Sequence, residues 1–181
     1  MDPAWREMIS AIHSSGRQAV LAITGGGSGA IAELLRVPGG SRLLLEAIVP
    51  YHARALAAFL GATPTQACSN ETAVALARRA RERAATLAPD AALPIGLGAT
   101  AALGTDRMRQ GEDRCHIAVA TGAAVELCSI VLDKTKRDRP AEEDLVAGAI
   151  VLWLARGCGV AASSPRVLID SDERYTEETW T

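Results

Sequence analysis

Two hydroxyls and four glycines stand together in Thr24-Gly25-Gly26-Gly27-Ser28-Gly29. A hydroxyl at a glycine turn can attack an acyl or amide carbon, if a base takes its proton and N–H groups hold the oxyanion. Glycine suits that task because its backbone can approach a ligand closely and adopt conformations closed to other residues. Ala19-Val20-Leu21-Ala22-Ile23 leads into the turn and Ile31-Ala32-Glu33-Leu34-Leu35 leads out, the pattern of strand, turn and helix start. A helix N-terminus offers unpaired N–H groups and partial positive charge to phosphate, carboxylate or a developing oxyanion. The spacing is neither G-x-G-x-x-G nor G-x-x-x-x-G-K-[ST], so neither fingerprint applies. The local alternative is a tight turn in which Ser28 caps a helix.

Candidate bases are few. Lys134 and Lys136 are the only lysines, and both lie far along the chain from the turn. That leaves Tyr51, His52 and His116, of which an imidazole suits proton transfer near neutral pH. Asp106, Arg107 and Arg109 form a polar excursion that could take a phosphate or a ribose, since the guanidinium fork matches phosphate; a solvated loop is the alternative. Cys68, Cys115, Cys128 and Cys158 show neither C-x-x-C nor zinc spacing. They are expected to be reduced and largely buried, and the residues call for no metal and no cofactor.

The elements needed to position these groups fit one domain. A chain of 181 residues can bury a core on both sides of a sheet. With 19 basic residues against 21 acidic ones, its formal charge is −2, which asks for neither a nucleic-acid nor a membrane partner. Aromatic content of 3% argues against a base-stacking platform. The charged N-terminus does not read as a signal peptide and no apolar run reaches membrane-spanning length, so a cytoplasmic protein is expected.

Asp2 and Pro3 open an amphipathic helix over 3–14, stopped by Gly16. A strand over 17–24 reaches the glycine turn, and a helix over about 28–36 follows to Val37-Pro38-Gly39-Gly40. A second strand covers 43–49, a short helix about 52–60, and the longest helix 70–88, opened by Ser69 and faced on its outer side by arginines. Residues 94–100 read as a third strand whose glycines imply something packed closely over it. The alternating runs 116–120 and 125–132 predict a hairpin, and Pro140 to about Arg156 a last helix. Residues 1–160 form the expected domain, and 161–181 a tail or docked extension. This order predicts an α/β fold, a three-layer α/β/α domain on a mixed, mostly parallel sheet. Its ligand cleft should lie beyond the carboxyl ends of the strands, where the 24–29 turn, Tyr51-His52 and the 100–114 excursion meet.

Several runs in sequence order resemble the C-terminal domain of the CinA family, the nicotinamide-nucleotide amidase fold. Residues 30–41 (A-I-A-E-L-L-R-V-P-G-G-S) are similar to the family's apolar helix ending in V-P-G-S-S. Val49-Pro50-Tyr51 resembles V-T-Y, Phe59-Leu60-Gly61 resembles L-L-G, and Ser69, Glu71 and Ala73 match S-E-E-x-A. Ile95-Gly96-Leu97 with Thr100, Gly104 and Asp106 is similar to I-G-L-A-V-T-G-I-A-G-P-D. The resemblance spans about residues 15–158 and points to a divergent branch carrying T-G-G-G-S, a branch that also occurs fused to nucleotidyltransferase-like domains.

The resemblance implies cleavage of the carboxamide of nicotinamide mononucleotide by a serine nucleophile, with a lysine and a tyrosine nearby. The serine position falls on Thr24 when aligned backwards from V-P-G, and on Ala22 when aligned on T-G-G. The lysine position is Leu56, while Tyr51, Thr100 and Asp106 are kept. Two functions are therefore expected. The first is an amidohydrolase-related protein acting on or binding a pyridine nucleotide, with Thr24, Ser28, Tyr51 and His52 as catalytic candidates. Its ligand contacts would be Gly25, Gly26, Gly27, Gly29, Thr100, Asp106 and Arg107. The second is a nucleotide-binding or sensing module that has lost the reaction with the lysine. The expected partner is a small-molecule nucleotide, and the protein a homo-oligomer.

Overall fold

The computed structural model describes residues 1–91, 93–106 and 110–181. Helix α1 (Pro3–His13) is capped by the Asp2 carboxylate, which accepts the Trp5 N–H at 3.1 Å. Strand β1 (Gln18–Thr24) enters the glycine turn, and α2 (Gly29–Arg36) leaves it. Then come β2 (Leu44–Ile48), α3 (Ala53–Leu60) and α4 (Asn70–Leu87), the last capped by the Ser69 hydroxyl. Strands β3 (Pro94–Ala102), β4 (Asp113–Ala120) and β5 (Val125–Leu132) precede α5 (Arg139–Gly157) and β6 (Arg174–Trp180). Among the described residues no helix is long and apolar enough to cross a membrane.

The six strands lie in the order β2-β1-β3-β4-β5-β6. β1 is parallel to both β2 and β3, while the β3–β4, β4–β5 and β5–β6 pairs are antiparallel. The fold is α/β with helices on both faces, but the expectation of a mostly parallel sheet is corrected: three of five pairings are antiparallel. The reason is local. Ten residues separate β3 from β4, none of the described ones in a helix, and the β4–β5 connection is a tight turn; connections this short join antiparallel strands. The chain after Gly159 adds a third such pairing as edge strand β6. It is held there by Arg137, whose guanidinium meets both oxygens of Glu173 at 2.5 and 2.9 Å. Burial pushes the Glu173 carboxyl up, but Arg137 and the N–H groups of Asp133 and Asp170 outweigh it and hold it at about 2.

Strand alternation sorts the core into two faces. Ala19, Leu21 and Ile23 of β1, with Ile95, Leu97 and Ala99 of β3, pack on α1, α2 and α5. Val20 and Ala22 face the other way, toward Leu56 of α3 and Leu76, Ala80 and Ala84 of α4. α5 is apolar nearly all round, from Leu145 to Ala155, because the sheet lies on one side and α1, α2 and the 165–168 turn cover much of the rest. All four cysteines are buried and none forms a disulfide, and burial pushes the Cys115 and Cys128 thiols up, which removes them as nucleophiles.

α4 lies against β3 backbone to backbone. A Cβ on Gly96 would overlap the Ala77 carbonyl and the Arg81 N–H, and one on Gly98 would overlap Ala77 N and Ala73 O and sit 2.6 Å from Leu76 Cβ. Helix backbone cannot yield as a flexible side chain does, so Gly98→Ala should cost about 2–3 kcal/mol through overpacking. Gly122→Ala, with nothing within 4 Å, should stay within about 0.5 kcal/mol. Urea unfolding of the two variants checks this contrast.

Candidate active site

The glycine turn lies where the ends of β1 and β3 meet the start of α5. Gly25 has φ +80°, and a Cβ there would collide with the Ala101 carbonyl, so glycine is required on both counts. Gly27 has φ +84°, and a Cβ there would come within 2.5 Å of Ile150 Cδ1 and 2.6 Å of Val146 Cγ1 of α5. α5 therefore sits tightly against the turn and brings its first two turns to the same place. Arg139 donates to Gly25 O at 3.1 Å and to Gly104 O at 3.0 Å, clamping the turn to the loop after β3. Glu143 accepts the Gly27 N–H at 2.8 Å and the Ser28 hydroxyl at 3.3 Å. Its neighbour Glu142 points inward, is 1% exposed and accepts the Gly104 N–H at 2.8 Å; burial pushes its carboxyl up.

Beside the turn opens a cleft of about 350 Å³, lined chiefly by Gly25, Gly26, Ser28, Tyr51, Arg139 and Glu143. Tyr51, 68% exposed, is one of the lining residues. Of the sequence candidates, then, Gly25, Gly26, Ser28 and Tyr51 meet around one cavity. Arg139 and Glu143 were missed. The signal was present as an i,i+4 Arg–Glu pair opening a helix, but acidic residues in a first helical turn are ordinary complements to the helix dipole and do not by themselves mark a site.

The remaining candidates fall elsewhere. Thr24 follows Val20 and Ala22 on the α3/α4 face, and its buried hydroxyl donates to Pro50 O at 3.0 Å. Gly27 contributes its N–H to Glu143, and Gly29 begins α2 against Ala147. His52 is the N-cap of α3, its Nδ1 accepting the Arg54 N–H at 3.2 Å. Thr100 shares a face with Gly98, and its hydroxyl donates to Ala67 O at 2.7 Å. Asp106 is exposed and does not line the cleft. Arg107 and Arg109 lie outside the described residues. Leu56 is 3% exposed in the α3/α4 core. Among the described residues no group of three or more His, Cys, Asp or Glu side chains is arranged to hold a metal ion.

Known structures place this architecture. A competence or damage-inducible protein from Enterobacter asburiae superposes with a TM-score of 0.62 at 15% identity, over 86% of this chain and 94% of that one. The chain has a CinA-like fold. A CinA superfamily protein from Enterobacter cloacae gives a TM-score of 0.60 at 16% identity over 86% and 89% of the two chains. The competence/damage inducible protein CihA from Agrobacterium tumefaciens gives 0.58 at 15% over 88% and 94%. No family model matches the sequence, and no curated protein does. The likeness to CinA proteins is thus one of fold.

On the opposite face of the CinA-like sheet, His116 Nδ1 lies 2.8 Å from Ser129 Oγ, and that hydroxyl donates to Asn70 Oδ1 at 2.8 Å. With its own proton committed, Ser129 takes the proton on His116 Nδ1. The network ties β4 and β5 to the start of α4, away from the cleft. Burial pushes the His116 imidazole down to about 4, Arg114 adding to the shift against Glu71 and Glu178. An imidazole whose folded pKa lies below its unfolded value stabilises the fold in full above about pH 6.5. That contribution is lost as pH falls from about 6.5 to 4, because the unfolded chain takes the proton first. His116→Gln should therefore show a flatter fall in unfolding free energy over that window. His13, also lowered chiefly by burial, contributes to both proteins and cancels in the comparison. Denaturant titrations at several pH values provide the measurement.

Proposed function

We propose that this CinA-like protein binds a pyridine nucleotide such as nicotinamide mononucleotide in the cleft beside the glycine turn, without hydrolysing its carboxamide. The observation that carries this is the grouping of the exposed Tyr51 ring, the Ser28 hydroxyl, Arg139 and Glu143 around a cavity of about 350 Å³. A planar cationic ring is suited to an aromatic face with a carboxylate nearby. A guanidinium at the rim suits a phosphate, and the volume is of the size that small-ligand clefts have.

The same geometry argues against turnover. Thr24 commits its proton to a carbonyl oxygen, which is no base, and it faces away from the cleft. Where the resemblance would place a lysine there is Leu56, enclosed by apolar side chains. Ser28 does face the cleft, but its neighbour Glu143 puts negative charge on the turn N–H where an oxyanion would need positive potential. The Gly27 N–H is thus already engaged and would not hold an oxyanion.

Calorimetric titration with nicotinamide mononucleotide should give saturable binding. Tyr51→Ala should weaken it by about tenfold, the worth of one stacked ring. Ammonia release should not exceed that of buffer for the wild type, Thr24→Ala or Ser28→Ala. Release that disappears in either variant would establish an amidase instead, and absence of binding would remove the nucleotide.

A further inference from the structure

The Gly27 N–H, the donor a glycine turn ordinarily holds out to an anion, is already occupied. Glu143 Oε1 accepts it at 2.8 Å and the Ser28 hydroxyl at 3.3 Å, while Oε2 lies 3.4 Å from Arg139. Gly26 supplies the space, since a Cβ there would come within 3.1 Å of Glu143 Oε2. One helical turn separates Arg139 from Glu143, so α5 presents both together. Arg139 has already given donors to the carbonyls of Gly25 and Gly104, which limits what it can offer a second anion. The Glu143 side chain remains about a quarter exposed, at 26%, and forms part of the cleft wall.

A ligand that reaches the Gly27 end of the turn therefore meets the Glu143 acceptor, with the Gly27 N–H and the Ser28 hydroxyl already given to it. An ionised carboxylate accepts hydrogen bonds and gives none. It can hold an amide –NH₂ or a sugar hydroxyl. A second carboxylate or a phosphate at the same place would set two negative charges in contact, with only a partly engaged guanidinium to offset them.

We propose that Glu143 is a specificity-determining residue. It makes the cleft select ligands that bring a neutral hydrogen-bond donor to the glycine turn, and refuse those that bring a carboxylate or phosphate there. For the nucleotide reading, on which the choice of ligands rests, the mononucleotide bearing a carboxamide is held and its carboxylic acid counterpart is turned away. Phosphate, common to both, engages Arg139 and not the turn.

The two mononucleotides, identical but for amide against acid, test the proposal by calorimetry. Wild type should bind the amide form about tenfold or more tighter than the acid form, and Glu143→Gln, which keeps the shape and removes the charge, should bring the two within about threefold. Equal affinities in the wild type overturn the selector while leaving nucleotide binding intact. If neither form binds to either protein, the nucleotide reading falls, and the selector is judged at the turn itself. In amide-resolved NMR with inorganic phosphate or acetate, the Gly27 N–H should stay unshifted in the wild type and move in Glu143→Gln and Glu143→Ala. Equal shifts in the wild type and either folded variant, or no shift in any of them, would overturn the proposal.

Discussion

The contact that sets the geometry of this molecule is the one between the β3 backbone and the backbone of α4. Two glycines, Gly96 and Gly98, let a helix of 18 residues lie on the strand without side chains between them. β3 is the strand on which parallel and antiparallel halves of the sheet join, with β1 on one side and β4 on the other. Anchoring it against α4 also places the β3 end, where Ala101 presses on Gly25. The glycine turn is thus located by packing from below and by α5 from above. Close-packed interiors transmit such constraints because they hold little free volume.

Alternation along β1 then decides which chemistry the turn can present. Ile23 faces the α2/α5 layer and the cleft, so Thr24 must face the opposite layer. Its hydroxyl finds the Pro50 carbonyl, tying the end of β1 to the chain leaving β2. Four residues later, beyond the strand, Ser28 stands on the other side and lines the cleft. The two hydroxyls that look equivalent in the sequence are separated by the sheet itself.

Electrostatics complete the picture. The turn has the form of an anion site, yet its central N–H meets a carboxylate supplied by the same chain. An internal anion of this kind supports the turn structurally and takes up one of its donors. The Arg139–Glu143 pair is partly exposed, so its worth as an ion pair is small. Its consequence lies in occupying the Gly27 backbone donor and the Ser28 hydroxyl. A CinA-like fold thus carries a cleft whose polar lining includes Ser28, Tyr51, Arg139 and Glu143.

Much of the architecture was legible in the chain order. The helix starts at Pro3 and Asn70, the glycine turn, the 116–132 hairpin and the last helix follow from caps, glycines and periodicity, all of which are local signals. The resemblance to CinA proteins was also carried by ordered local motifs, and the fold agrees with it. Sheet direction was misjudged because the antiparallel pairing of β4 with β3 and of residues 174–180 with β5 depends on partners distant in sequence. What the sequence by itself determined was where strands, helices and the glycine turn would form, since these rest on contacts within a few residues. The chain order also led to a cleft shared by the glycine turn and Tyr51, but only the tertiary structure decided that Thr24 and Thr100 turn away from it and that Glu143 fills the turn. Those outcomes depend on strand alternation across a folded sheet and on a helix beginning more than a hundred residues downstream, which no local pattern encodes.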